Sequence, residues 1–393
     1  MITAALARTG SIRAAREREE PMDRIAFPYR SSSHLVLLHV VAESGAWEKN
    51  GLEVDYDRQI SSTEAHRAVP TGEVEFVGGN HVSTYGHRAR GDSWVYLGQT
   101  VNQVKQQLVV RADSGINGLA DLQGRKVGTR GSHPGLNDWL YLKQHGLDAD
   151  RDDVELVRQT KLKGNSMDAE DPAQKAKAPP LWHLVRDRVV DACFLGPPAS
   201  LFAKVAGLKV IDIEPLPMIQ FTTVSSSLGF VEKHPDIVER FLKGLIEGIH
   251  FFKTRPEEAI DIIERRFDRQ GKMNREQATI THQSLAGILE PKLYPQMRAI
   301  ANVYEEAVRQ DKDAKKINPM ELWDLHHLRR IDDTGFVDGL YGKRNMAPAP
   351  HGHAHGQDHD HSHAAPASDS VAKITSSDAV GDPACDDDCT TPS

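Results

Sequence analysis

Hydrophobic positions along the chain fall into two rhythms. Short runs alternate, as a half-buried strand requires, and longer runs repeat every three or four residues, as an amphipathic helix requires. The alternating runs are Arg24–Phe27, Leu52–Tyr56, Gly72–Val77, Val95–Gly98, Gln107–Arg111, Lys126–Thr129, Val154–Val157, Val189–Phe194, Val210–Ile213 and Phe221–Ser226. Between them the helical rhythm predicts Leu35–Trp47, Thr63–Thr71, a helix ending near Arg90, Leu136–Leu142 and Leu181–Arg188. From Pro235 onward the rhythm is helical throughout: Ile237–Phe252, Pro256–Phe267, Gln277–Leu289 and Pro295–Val308. Pro256 stands where proline opens a helix, and Gly45 and Asn50-Gly51 stand where glycine closes one.

Strands that alternate with helices point to parallel α/β units. The alternation occurs twice, over Arg24–Gly98 and Lys126–Ile213, and predicts two α/β lobes with a cleft between them. Residues 22–110 with 215–345 are expected to form the first lobe and its C-terminal helices, and 111–214 the second. Residues 1–21 read as a disordered or misassigned start, with Met22 as an alternative. Residues 346–393 are rich in Pro, Ala, His, Asp and Ser and are expected to stay disordered. Lys161–Pro180, polar and proline-rich, reads as a long insertion.

Three of the strands run into loops of small polar residues. Asp121–Asn137 illustrates the pattern: a turn closing on Gly124, the strand Arg125–Thr129, the loop Arg130-Gly131-Ser132-His133, and then a helix. A strand that stops at a helix N-terminus presents backbone N–H groups to an anion. Read alone, the stretch is equally an ordinary strand-to-helix turn.

Composition narrows the function. Of the formal net charge of −8, the tail from Met346 holds eight Asp against one Lys, so the folded part is nearly neutral. No clustered basic face suggests a nucleic-acid partner. No stretch is apolar enough to insert in a membrane, and the first 27 residues contain no apolar leader core. As written the chain reads as cytoplasmic, or as periplasmic if the true start encodes a leader. Cys193 in an apolar run, with Cys385 and Cys389 in the tail, is not a disulfide framework.

The order of pieces resembles the type II periplasmic-binding-protein fold, and within it the nitrate/sulfonate/taurine and thiamine-pyrimidine-precursor group of ABC solute-binding proteins. The residues that carry the likeness are Glu43–Val54, Gly72–Gly78, Leu119–Gly128, Arg188–Ala192, Gly196-Pro197-Pro198 and the stretch after His234-Pro235 to Ala259; it covers roughly Arg24 to Arg309. The resemblance implies a small anionic or aromatic ligand held between the lobes, an ABC permease as partner, and no required cofactor. Carried onto this chain, the contacts are expected at Tyr29, Arg30, Ser31, Ser32, Ser33 and His34; at Gly79, Asn80 and His81; at Asn102 and Gln103; at Arg130, Gly131, Ser132 and His133; at Pro197; and at Thr222 and Thr223. Arg30 and Arg130 would add charge-assisted bonds to an anion.

The chain is also similar to a cytosolic aromatic-sulfinate desulfinase on the same scaffold. That enzyme uses a cysteine in the loop after the first strand, where this chain has Tyr29-Arg30-Ser31-Ser32-Ser33-His34, and an arginine before its Gly-Gly loop, where Glu75-Phe76-Val77 precedes Gly78-Gly79. The cysteine-rich motif of the fungal-type pyrimidine synthase is absent as well. A lyase or hydrolase acting on a small organic acid stays open as the alternative, with Ser32, His81 and Arg130 as its catalytic candidates. His66, His81, His87 and His133 show no metal-ligand spacing. In the tail, His351, His353, His355, His359, His361 and His363 alternate with small residues and Asp, a composition that can bind Zn²⁺ or Ni²⁺.

Overall fold

A computed structural model describes residues 22–129, 136–151, 153–159, 179–197, 199–268 and 273–342. The expectations for the first 21 residues, the loop Arg130-Gly131-Ser132-His133, most of the 161–180 insertion and the tail with its six histidines lie outside them.

The described strands form three sheets. The first pairs β1 (Asp23–Ala26) with β2 (Leu52–Asp55) in parallel. The second has the order β3 (Val77–Gly78), β10 (Leu216–Ser227), β4 (Trp94–Val104) and is antiparallel. The third has five strands in the order β7 (Glu155–Arg158), β6 (Lys126–Thr129), β8 (Ala192–Leu195), β5 (Gln107–Val110), β9 (Lys209–Asp212). The parallel pairing expected of α/β units is seen in β1–β2 and in β6 with β7 and β8; in the third sheet β5, next to the edge strand β9, runs antiparallel to both β8 and β9. Lys105-Gln106 separates β5, which belongs to that sheet, from β4 of the second.

The longest strands make the connection. β4 carries the chain out of the first sheets and β10 brings it back, pairing from Leu216↔Val104 to Ser227↔Trp94 with three register shifts. Sequence alternation predicted only Val95–Gly98 and Phe221–Ser226 of these. Polar residues at Gln99, Thr100 and Asn102 hid the rest of β4, although they are buried, as are Thr222 and Thr223 opposite in β10. Two of them bond inside the pair: Thr100 donates to the Thr222 carbonyl (2.8 Å), and Thr223 donates to the Gln99 side chain (2.7 Å).

The first lobe is cored by aromatics. Phe241 stacks on Phe76 (4.2 Å) and meets Phe27 edge-on (4.9 Å), with Trp47 closing the cluster. Phe241 belongs to the 20-residue helix Pro235–Thr254, whose apolar stripe packs on the helix Leu35–Glu43. The predicted helix Leu35–Trp47 is broken at Gly45, whose φ of 71° ends it before a second turn, Ala46–Lys49. The helices Pro256–Asp268, Arg275–Ala286 and Met297–Gln310 form as expected; Leu228–Lys233, His326–Asp333 and Phe336–Leu340 were not anticipated. No helix among the described residues is long and apolar enough to cross a membrane.

Candidate functional site

Three segments of the first lobe meet at one place: the turn after β1, the end of β3, and the middle of β10. Backbone bonds fix the meeting. Arg30 N–H donates to the Gly78 carbonyl (3.2 Å), Gly78 N–H to the Pro28 carbonyl (3.1 Å), and Gly79 N–H to the Thr223 carbonyl (2.9 Å). Ser31 caps the short turn Ser32–His34 that leads into the first helix, and its hydroxyl lies 3.0 Å from that of Ser33.

The two glycines are the floor. A Cβ on Gly79, whose φ is 124°, would lie 2.7 Å from Arg30 Cγ and 3.4 Å from His34 Cε1. A Cβ on Gly78 would lie 3.3 Å from the Thr222 methyl and 3.4 Å from His34 Nδ1. Arg30, His34 and Thr222 therefore crowd the same dipeptide. Glycine is required at 79 both by backbone conformation and by the closeness of Arg30.

Asn80 follows in left-handed conformation (φ 61°), with its backbone carbonyl held by the hydroxyls of Tyr96 (2.9 Å) and Thr84. Its side chain is buried, yet neither Oδ1 nor Nδ2 has a hydrogen-bond partner among the described residues; Thr222 Oγ1, also buried, has none there either. Orphaned buried polar atoms cost about 1–3 kcal/mol each, so they ask for an explanation, and a polar ligand supplies one.

Among the described residues, the electrostatics around the Gly78-Gly79 floor combine two neutral imidazoles with the Arg30 cation. Burial lowers the His34 pKa to about 3, with the positive potential of His81 and Arg30 adding to it. Burial likewise takes His66 down to about 3, helped by His87, Arg30 and Arg90. Both imidazoles are neutral at physiological pH. The Arg30 guanidinium donates to the Ile60 carbonyl (2.5 Å), which orients it. The His34 ring faces Phe221 at 5.3 Å, giving the pocket an aromatic wall. Beside it His66 and His87 stack at 3.6 Å; His66 Nε2 is 2.8 Å from Ser83 Oγ, and His87 Nδ1 is 2.7 Å from Asp92. The arrangement can take a small molecule with a hydrogen-bonding head, an anionic charge for Arg30 and an aromatic or apolar body.

The residues expected from sequence divide accordingly. Arg30, His34, Gly79, Asn80 and Thr222 come together, flanked by Tyr29, Ser31, Ser32, Ser33 and His81. Asn102 is a brace: its Nδ2 donates to the Tyr294 carbonyl (2.8 Å) and its Oδ1 accepts from Gln296 N–H (2.9 Å), tying β4 to the C-terminal region. Thr223 is likewise taken by Gln99, and Gln103 lies within the strand pair opposite Pro217. Pro197 stands exposed after β8. Sequence reasoning did not find Phe221, Tyr96 or Thr84. Thr84, four residues after Asn80 at a helix start, was the one readable signal; a positive-φ Phe221 (67°) in mid-strand has none.

In the second lobe, the end of β6 holds a buried acid that was also missed. Thr129 donates to Asp138 Oδ2 (2.7 Å), and burial raises the Asp138 pKa to about 7.

Residues 32–259, more than half the chain, match the family model described as NMT1/THI5 like. The chain belongs to that family. Solved structures agree on the fold. The putative periplasmic sulfonate-binding protein SsuA of Methylobacillus flagellatus is 12% identical, with a TM-score of 0.58, covering 81% of this chain and 97% of its own. The periplasmic aliphatic sulphonate binding protein SsuA of Escherichia coli is 15% identical, with a TM-score of 0.53, covering 75% and 91%. The desulfurization enzyme DSZB is 17% identical, with a TM-score of 0.50, covering 79% and 99%. The NMT1/THI5-like chain therefore has the two-lobed periplasmic-binding-protein fold. A curated relative, a putative thiamine biosynthesis protein of Haemophilus influenzae, is 28% identical over 131 residues, or 33% of this chain and 40% of that protein. The match thus spans less than half of the curated relative's length.

Proposed function

We propose that the protein binds a small organic anion of the sulfonate or carboxylate class, with an aromatic or apolar body, as the solute-binding component of an ABC importer. The observation that carries this is the unpartnered buried amide of Asn80, set beside Arg30 and His34 on the Gly78-Gly79 floor. Buried donors without partners bind an anion well, because ligand oxygens replace what the fold left unsatisfied. Two structural relatives named as sulfonate-binding proteins agree with the head group. An importer role places the protein on the outer side of the membrane, which cell fractionation tests.

A thermal-shift and calorimetric screen against alkyl and aromatic sulfonates, sulfinates, aromatic carboxylates and pyrimidines tests the reading, followed by product analysis of each hit. The expected result is stabilisation by an anion that is recovered unchanged. A panel in which only uncharged pyrimidines bind would overturn it.

A second reading, a lyase or hydrolase, rests on the 2.8 Å contact between Ser83 and His66. The geometry suits a nucleophile and its base. The chemistry argues against it, since an imidazole with a pKa near 3 is a feeble base at neutral pH. Turnover of any bound compound that Ser83→Ala abolishes would favour this reading over the first.

A further inference from the structure

Among the described residues, the proposed ligand site leaves another cluster of chemically able side chains unexplained. It lies where the chain leaves Trp323 and enters the helix His326–Asp333. One ligand atom each from Asp324, His326 and His327 falls within 4.8 Å of the others. We propose that these three residues form a binding site for a divalent transition metal of the zinc type.

The donor set is the first argument. Two imidazole nitrogens and a carboxylate oxygen suit Zn²⁺, Ni²⁺ or Cu²⁺, and not Ca²⁺ or Mg²⁺, which prefer all-oxygen shells. The spacing is the second. A point shared by three atoms at most 4.8 Å apart is no more than about 2.8 Å from each, against bonds of about 2.0–2.2 Å to zinc, so small side-chain shifts suffice.

The third argument is His327. It is wholly buried, and neither of its ring nitrogens makes a hydrogen bond. Its nearest charged neighbour is Glu239 of the helix Pro235–Thr254, whose Oε1 lies 3.5 Å from Nδ1. Glu239 is itself held by Arg330 Nε at 3.1 Å. That leaves Glu239 as a carboxylate that steadies a metal-bound imidazole rather than as a ligand. A buried imidazole whose ring nitrogens make no hydrogen bond is otherwise a cost to the fold.

The scaffold holds the three residues in place without a metal. Trp323 forms a bridge to Tyr96 of β4, and Asp324 N–H donates to the Tyr96 carbonyl (2.9 Å). Asp324 Oδ1 accepts from the His326 backbone (3.3 Å) and meets its Nδ1, while the His326 and His327 rings sit 3.7 Å apart. The helix dipole opposes a cation at this end, and the Asp324 charge offsets it. His326 is largely exposed, which gives the ion a route in and leaves a coordination position for water.

Crystals of the full-length protein equilibrated with Zn²⁺ and measured across the zinc edge test the proposal. The expected result is an anomalous peak between the three side chains. Asp324→Asn and His326→Ala should each remove that peak and lower bound zinc by one equivalent per chain. The tail histidines are intact in both variants, so zinc held there persists. Melting temperatures without metal should match wild type, showing that the variants fold; if His326→Ala does not fold, Asp324→Asn decides. Zinc bound elsewhere with no peak at Asp324–His327, or equal stoichiometry in variants and wild type, would overturn it.

Discussion

Asn80 and Gly79 show how a residue's backbone and its chemistry are tied together in the pocket. Asn80 sits in the left-handed region, where glycine is the natural substitute. Asn80→Gly therefore keeps the turn and deletes only the unpartnered amide. Ligand affinity should fall about 10–100-fold while the melting temperature hardly moves or rises, since a buried unsatisfied group has gone. Calorimetry beside a melting curve reads both. Gly79→Ala should do the reverse: its Cβ collides with Arg30, so stability drops by about 1–3 kcal/mol and affinity falls with it. Asp138 gives a pH signature. Its folded pKa is raised from 3.8 to about 7, so between those values the native state binds more protons than the unfolded one. Stability from this group is full below about pH 4 and is lost as pH rises through 7. Asp138→Asn should raise stability at pH 8 by up to about 4 kcal/mol and change little near pH 4, as denaturant titrations at the two pH values will show.

The helices, at the scale of elements, bring the first lobe together through two glycines. A Cβ on Gly244 would collide with Cδ1 of the Trp47 ring, and one on Gly248 would lie 2.6 Å from both methyls of Val41. Gly248→Ala should cost about 1–3 kcal/mol by overpacking, despite alanine's better helix propensity, and urea denaturation measures it. Elements such as Pro235–Thr254 were legible because their apolar period is long and regular. β4 was read too short because Gln99, Thr100 and Asn102 are buried on it, with hydrogen-bond partners that no local pattern reveals, and β10 because Pro217 stands in its first half. The same limit applies to the site. The Gly-Gly-Asn loop and the turn at Arg30 could be picked out as polar strand ends, but Asn102 and Thr223 look no different in sequence and turn out to be braces. What separates them is who accepts their hydrogen bonds, a fact of tertiary structure alone.

For the whole molecule the decisive feature is that β4 and β10 join the sheets, so any movement between the lobes must pass through them. Tyr141, in the second-lobe helix Leu136–Gln144, grips both strands at their far ends. Its hydroxyl donates to the Val104 carbonyl of β4 (2.8 Å) and accepts from the Leu216 N–H of β10 (3.2 Å). Burial raises this phenol to about 12, so it stays a donor at any physiological pH. Tyr141→Phe keeps the ring, which stacks on Phe194 at 5.3 Å, and deletes only the clasp. The Leu216 N–H and Val104 carbonyl then lose a partner, at about 1–2 kcal/mol, which corresponds to roughly 5–30-fold faster local opening. Hydrogen exchange at Leu216 should accelerate by that factor, while amides in the Phe27–Phe241 core keep the wild-type rate. If the strand ends act as the hinge, bound ligand should slow exchange at Leu216 in the wild type and restore part of the protection in Tyr141→Phe. Exchange at Leu216 that ignores both the mutation and the ligand would place the lobes' movement somewhere other than these two strands.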